Sequence, residues 1–305
     1  YCQFHRGVLT SQAKTKRGNR KSELALREAE MWGAAAGARK GFAWPAEQMD
    51  ELWKKVLLNQ FHDILPGSSI HRVYEEAEAA YAEVIGAAQA VAAQAAGSLA
   101  APGEALTVLN SLNWSRKAQV ELPAGWTGAI DAEGDALCVQ ETGGKKLVET
   151  TVPSCGWTTL RKGDGPRAKC DGGACRVVAE PRRLENDQLR VEFNDRAEIV
   201  SVFDKTSGRE LLAGPSNVFR LYKDVPGQYD AWDIDSMYRE TPVDLGDAPA
   251  GIEVVASGPL VATLRATRRL HDSTVTQEIS LRRGARRVDF RTTVEWKECH
   301  KLLKV

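Results

Sequence analysis

The chain has 305 residues, 43% of them hydrophobic, and its 41 basic side chains are matched by 41 acidic ones. The length suits two or more domains of ordinary soluble, globular composition. A formal net charge of zero gives no electrostatic case for nucleic acid or an anionic membrane, and no apolar run reaches the roughly 18 residues of a membrane-spanning helix.

Residues 1–20 read as a polar, irregular segment. Its basic run, Lys14, Lys16, Arg17, Arg20 and Lys21, reads as a solvated face paired to nearby carboxylates rather than a phosphate patch. Three helices are expected next, across 21–101. The first covers Lys21 to about Arg39, with Leu24, Glu28, Met31 and Ala35 spaced for one face. Gly37, Gly41 and Trp44 close it, and Pro45 suits the first position of the second helix. That helix carries Met49, Leu52, Trp53, Val56, Leu57 and Phe61 on one broad apolar stripe. The third runs from near Ser69 to about Gly97, with Ile70, Tyr74, Ala77, Tyr81, Val84, Ala88 and Val91 among its apolar positions. Trp53, Tyr74 and Tyr81 read as core residues, and His71 as exposed. Short connections favour an antiparallel bundle.

After Ala101-Pro-Gly103 the pattern changes to short apolar segments broken by turns, a small β domain and linker over 102–183. Residues 162–183, rich in Gly, Lys, Arg and Asp, read as an exposed loop. From Leu184 period-two alternation dominates, and 184–305 is expected to begin a large antiparallel sandwich. The fold class is α+β and multidomain: an antiparallel three-helix bundle followed by antiparallel β-sandwich domains.

Two stretches carry chemistry. In Leu52–Ile70 an apolar helix ends on His62-Asp63 before a Pro66-Gly67 turn. An imidazole beside a carboxylate at a helix end suits a metal or a sugar, although such pairs are more often caps or packing pairs. In Gln228-Tyr-Asp-Ala-Trp-Asp-Ile-Asp235, Trp232 offers an apolar face to a sugar ring, and Asp230, Asp233 and Asp235 offer acceptors for hydroxyls. By chemistry alone an acidic surface loop with one buried Trp is the better reading. The three Asp do not have the spacing of the Asp-x-Asp-x-Asp-Gly calcium loop.

Asn59-Gln-Phe-His-Asp-Ile-Leu-Pro-Gly-Ser68 closely resembles a signature of the zinc-dependent α-mannosidases, glycoside hydrolase family 38. Phe4-His-Arg-Gly-Val-Leu-Thr-Ser-Gln12 is similar to the stretch leading out of the catalytic barrel in the cytosolic and bacterial branch of that family, with Phe4 and Ser11 as mild departures. Thr107–Ser115, Val152–Trp157 and Asp230-Ala-Trp-Asp-Ile234 resemble later family segments, in the family's order. The resemblance covers nearly the whole chain. It implies a retaining enzyme that removes terminal α-D-mannosyl residues from oligosaccharides, using two carboxyl groups roughly 5–5.5 Å apart. It implies one Zn2+ ion that holds and polarises the sugar. On the matching positions it implies His62 as a metal ligand and Asp63 as a sugar-hydroxyl acceptor, with His5, Trp232 and Asp233 lining the substrate pocket. The nucleophile, the acid/base and the other metal ligands belong to the family's N-terminal barrel, which this sequence lacks. These residues alone are therefore expected to be inactive.

The chain starts on Tyr1 with no signal-peptide pattern and stops on an alternating stretch with no terminal turn, so it reads as an internal piece of a longer protein. The six cysteines, at 2, 138, 155, 170, 175 and 299, include no Cys-x2-Cys pair. A disulfide among Cys138, Cys155, Cys170 and Cys175 fits their turn-rich surroundings, but free thiols in a reducing cytoplasm are the preferred expectation. The expected partner is an α-mannoside oligosaccharide, with no nucleic acid and no membrane; a homo-oligomer is left open. Two alternatives stand beside this reading: a mannosylglycerate hydrolase of the same family, and a non-catalytic carbohydrate-binding or structural β module.

Overall fold

The computed structural model describes residues 5–163 and 177–305. The chain divides into two compact units, one reaching up to Pro102 and taking in Asp224–Arg239, the other made of Gly103–Lys223 and Glu240–Val305.

The first unit is built on α1 (Ala13–Lys40), α2 (Ala46–Asn59) and α3 (His71–Leu99). Helix α1 starts well before the expected Lys21. Gly18 and Asn19 are poor helix formers, but Thr15 is completely buried, and tertiary packing overrides the weak local propensity. The buried stripe of α1 is also rotated from the expected one. It consists of Ser22, Ala25, Leu26, Ala29, Trp32, Gly33 and Ala36, while Leu24 stays at the edge. Small residues on that stripe let neighbouring groups come close; a Cβ on Gly33 would run into the ring of Trp44. The helix ends on Gly41 at φ +67°, with the Gly41 and Phe42 amides donating back to the Gly37 and Ala36 carbonyls.

The helical core gathers Leu26, Ala29, Met49, Leu52, Val56, Val84, Ala88 and Val91. Tyr74 and Tyr81 are buried in this unit, as expected, and His71 is exposed. Trp53 is only half-buried and donates its indole N–H to Glu30. The stripe of α2 is narrower than its composition suggests, because Leu57 and Phe61 are 60% and 53% exposed.

Among the described residues the sheets of the second unit are antiparallel. One three-stranded sheet orders Ala105–Asn110, Gly156–Gly163 and Gly128–Ile130, and another orders Arg116–Glu121, Lys145–Val152 and Val139–Thr142. They enclose Leu122, Trp126, Ala129, Val148 and Leu160. Further on, a five-stranded sheet built around Leu189–Phe193 faces a four-stranded sheet built around Val261–Leu270 and Ser273–Arg282. Leu184, Val191 and Phe193 from the first meet Ala262, Leu264, Ile279 and Leu281 from the second, which makes a sandwich. Buried and half-buried residues alternate strictly along Ser273–Arg282, the origin of the period-two signal. Gln140 ties the smaller sheets to the sandwich. Its amide donates to the Val261 carbonyl at 2.8 Å and accepts from the Leu260 and Val261 amides at 2.8 and 2.9 Å.

Two expectations change in this unit. Strands Val178–Glu180 and Arg183–Glu185 extend into the stretch read as a loop; residues 164–176 of that stretch lie outside the described residues. Cys138 is in a disulfide rather than a free thiol, the alternative that its turn-rich surroundings had left open. Cys155 and Cys299 are free thiols, and Cys2, Cys170 and Cys175 lie outside the described residues. Among the described residues no helix is long and apolar enough to cross a membrane.

Candidate functional site

Helix α2 ends at Asn59, whose side-chain amide donates to the Lys55 carbonyl one turn back at 2.8 Å. Gln60 then anchors this end to α1, donating to Asn19 at 2.9 Å and to Glu23 at 3.1 Å. The chain continues as successive tight turns closed by Ile64 and Leu65 N–H to the Phe61 carbonyl and by Gly67 N–H to the Ile64 carbonyl. His62 and Asp63 stand on the outside of these turns, with side chains 78% and 53% exposed. His62 Nε2 lies 3.6 Å from Asp63 Oδ2, and the Phe61 and His62 rings are 4.2 Å apart. The Asp63 carbonyl is held from behind by the Ser69 hydroxyl at 2.6 Å and the Tyr74 hydroxyl at 3.4 Å.

Gly67 is needed here on two counts. Its φ is +107°, and a Cβ would lie 2.7 Å from Ser11 Cβ. Ser11 in turn places its hydroxyl 2.7 Å from the Ala231 carbonyl, while Gly7 N–H donates to the Trp232 carbonyl at 2.7 Å. The tight approach at Gly7 leaves no room for a side chain, since a Cβ would sit 3.0 Å from the Trp232 carbonyl carbon. Tyr229 takes a left-handed φ of +55°, and its carbonyl receives both the Trp232 and Asp233 amides at 2.8 Å. The His5 ring lies 4.9 Å from the Trp232 ring, tilted by 37°. Asp233 Oδ1 is buried and has no hydrogen-bond partner among the described residues, whereas Asp235 Oδ1 accepts from Met237 N–H.

Three stretches separated in sequence, 5–12, 59–70 and 228–235, therefore meet in the helical unit around Ser11. The sequence reading had put Trp232 in the β region. The structure moves it to the helical unit, because the Asp224–Arg239 stretch leaves the sheets and packs with the helices. His5 and Trp232 touch, and His62 and Asp63 are neighbours. Among the described residues no hydrogen bond or ring contact joins one pair directly to the other. Sequence reasoning marked the Pro66-Gly67 turn but missed the contacts that Ser11, Gly67 and Gln60 make.

The donors for zinc fall short. Among the described residues no group of three or more His, Cys, Asp or Glu side chains is placed to hold a metal ion. Catalytic zinc takes three protein ligands and structural zinc four, so His62 with Asp63 does not complete a site.

Residues 3–99 match the model of the alpha mannosidase middle domain, and residues 184–305 match that of the glycosyl hydrolases family 38 C-terminal domain. The chain belongs to glycoside hydrolase family 38. Family 38 relatives align along its whole length. Human alpha-mannosidase 2C1 is 33% identical over 100% of this chain and 29% of its own, and the alpha-mannosidase of Saccharomyces cerevisiae is 27% identical over 100% of this chain and 26% of its own. The chain thus spans less than a third of the length of these two family members. The crystal structure of an alpha-mannosidase from Enterococcus faecalis V583 shares the fold, with a TM-score of 0.75 at 14% identity over 99% of this chain and 44% of that one.

Proposed function

We propose that these residues form the helical and β part of an α-mannosidase that releases terminal α-D-mannosyl residues from oligosaccharides with retention of configuration. The observation that carries the reading is the meeting of the Asn59–Ser68 motif with the His5 and Trp232 segments in one folded unit. In this reading the exposed Asp63 carboxylate accepts hydrogen bonds from sugar hydroxyls. Trp232, with His5 tilted against it, gives an apolar wall to the sugar's C–H face, and Asp233 stands beside it with a buried Oδ1 that has no partner among the described residues. His62 contributes one imidazole to a zinc ion whose remaining ligands come from outside these 305 residues. The two carboxyl groups of a retaining glycosidase come from there as well.

The relatives named alpha-mannosidase favour this substrate over mannosylglycerate. Among the described residues the free thiols of Cys155 and Cys299 favour a cytoplasmic location and the disulfide at Cys138 opposes it. The test is His62→Ala in the full-length protein. Bound zinc and hydrolysis of a nitrophenyl α-mannoside are expected to fall together, by about 100-fold or more in rate. Unchanged activity would remove His62 from the site.

A further inference from the structure

Lys16 was read in the sequence as one of a run of solvated cations. The structure places it elsewhere. Its neighbour Lys14 is 84% exposed and stands 3.8 Å from Glu78, the ordinary position for a helix lysine. Lys16 is partly buried one turn into α1, and its ammonium group faces backbone rather than carboxylates. Nζ lies 2.5 Å from the Ser11 carbonyl, 2.8 Å from the Leu65 carbonyl and 3.1 Å from the Pro66 carbonyl. An ammonium has three N–H bonds, and here each has its own acceptor. Burial also pushes the Lys16 pKa down from its ordinary value, the mark of a desolvated cation.

The three acceptors come from two different segments. Leu65 and Pro66 close the turns that carry His62 and Asp63. Ser11 is the residue whose hydroxyl reaches the Ala231 carbonyl next to Trp232. One side chain thus holds both functional segments to the same point of α1. We infer that Lys16 is a positioning residue for the proposed sugar site: its ammonium clamps the His62-Asp63 turn to the Ser11 strap that carries the Trp232 segment. The clamp itself rests on geometry alone, and its role in catalysis rests on the mannosidase reading above.

The experiment compares Lys16→Met, Lys16→Arg and Lys14→Met in the full-length protein, with two readouts. Hydrogen exchange of peptides covering 61–70 is expected to quicken about 10- to 100-fold in Lys16→Met, the range that follows from losing hydrogen bonds to a charged donor. Peptides from the middle of α2 and α3 are expected to keep wild-type rates. Lys16→Arg keeps the charge and is expected to recover part of the protection, and Lys14→Met to match wild type. For the α-mannoside, kcat/KM of Lys16→Met is expected to fall by a similar factor at a temperature where the variant is fully folded. Unchanged exchange at 61–70 would overturn the clamp. Equal acceleration across the whole bundle would overturn it too, since Lys16 would then only support the helices. Local acceleration with unchanged kcat/KM would overturn the positioning role. If the wild-type protein does not cleave α-mannosides, the functional reading fails and the exchange result still decides the clamp.

Discussion

At Gly67 a single missing side chain serves two segments. The residue sits at φ +107° with Ser11 directly against it, so Gly67→Ala must both strain the turn and push Ser11 away. A loss of about 1–3 kcal/mol is expected, read as a lower Tm together with weaker α-mannoside binding. Gly86 provides the opposite case. It lies inside α3 with nothing within 4 Å of a Cβ, so Gly86→Ala is expected to raise stability by about 0.5–1 kcal/mol. Equal effects at the two sites would show that the contact with Ser11 is unimportant. The same contrast explains which site residues could be read from the sequence. His62, Asp63 and Trp232 announce themselves because their chemistry is in their side chains. Ser11 and Lys16 act on backbone carbonyls of distant residues, and a carbonyl leaves no trace in a sequence. Gly67 was visible as a turn, but its partner was not.

The elements were legible wherever a hydrophobic period was tied to burial. Helix α3 buries Tyr74, Ala77, Tyr81, Val84, Ala88 and Val91, as its spacing predicts. Ser273–Arg282 alternates as a half-buried strand should. Helix α1 misleads because alanine, glycine and serine share its contact face with Leu26 and Trp32, while the apolar residues Leu24 and Met31 stay outside the core. Close packing of small residues is invisible to a reading that weights size. Gly33 tests this at the level of the helix pair. Gly33→Ala improves intrinsic helix propensity, yet it drives a methyl into the Trp44 ring. Overpacking is expected to win, with a net loss of about 1–3 kcal/mol in denaturant unfolding; a more stable variant would mean that Trp44 moves aside freely. At the end of α2, Leu57, Leu58 and Phe61 are all more than half exposed just before His62, so this end of the element is apolar where the proposed site begins.

For the molecule as a whole, the order of helices then antiparallel sheets was legible, and so was the family. The return of Asp224–Arg239 to the helical unit was not. A sequence is read along its length, whereas the helical unit takes residues from both ends of a long gap. Two donors on exposed turns do not make a glycosidase, so the 305 residues alone are expected to leave a nitrophenyl α-mannoside untouched at any zinc concentration. Measurable turnover by the isolated chain would place the nucleophile and acid/base within it and overturn the proposal that they come from outside these 305 residues.

The stretch Asp224–Arg239 also bears on how such a protein is inherited. The Trp232 segment is encoded more than a hundred codons downstream of the helices it packs with. A recombination event that copied only the helices would leave the tryptophan behind, and one that exchanged only the sheets would carry it off. A piece cut before Asp224 therefore lacks part of the helical unit, however complete its three helices are.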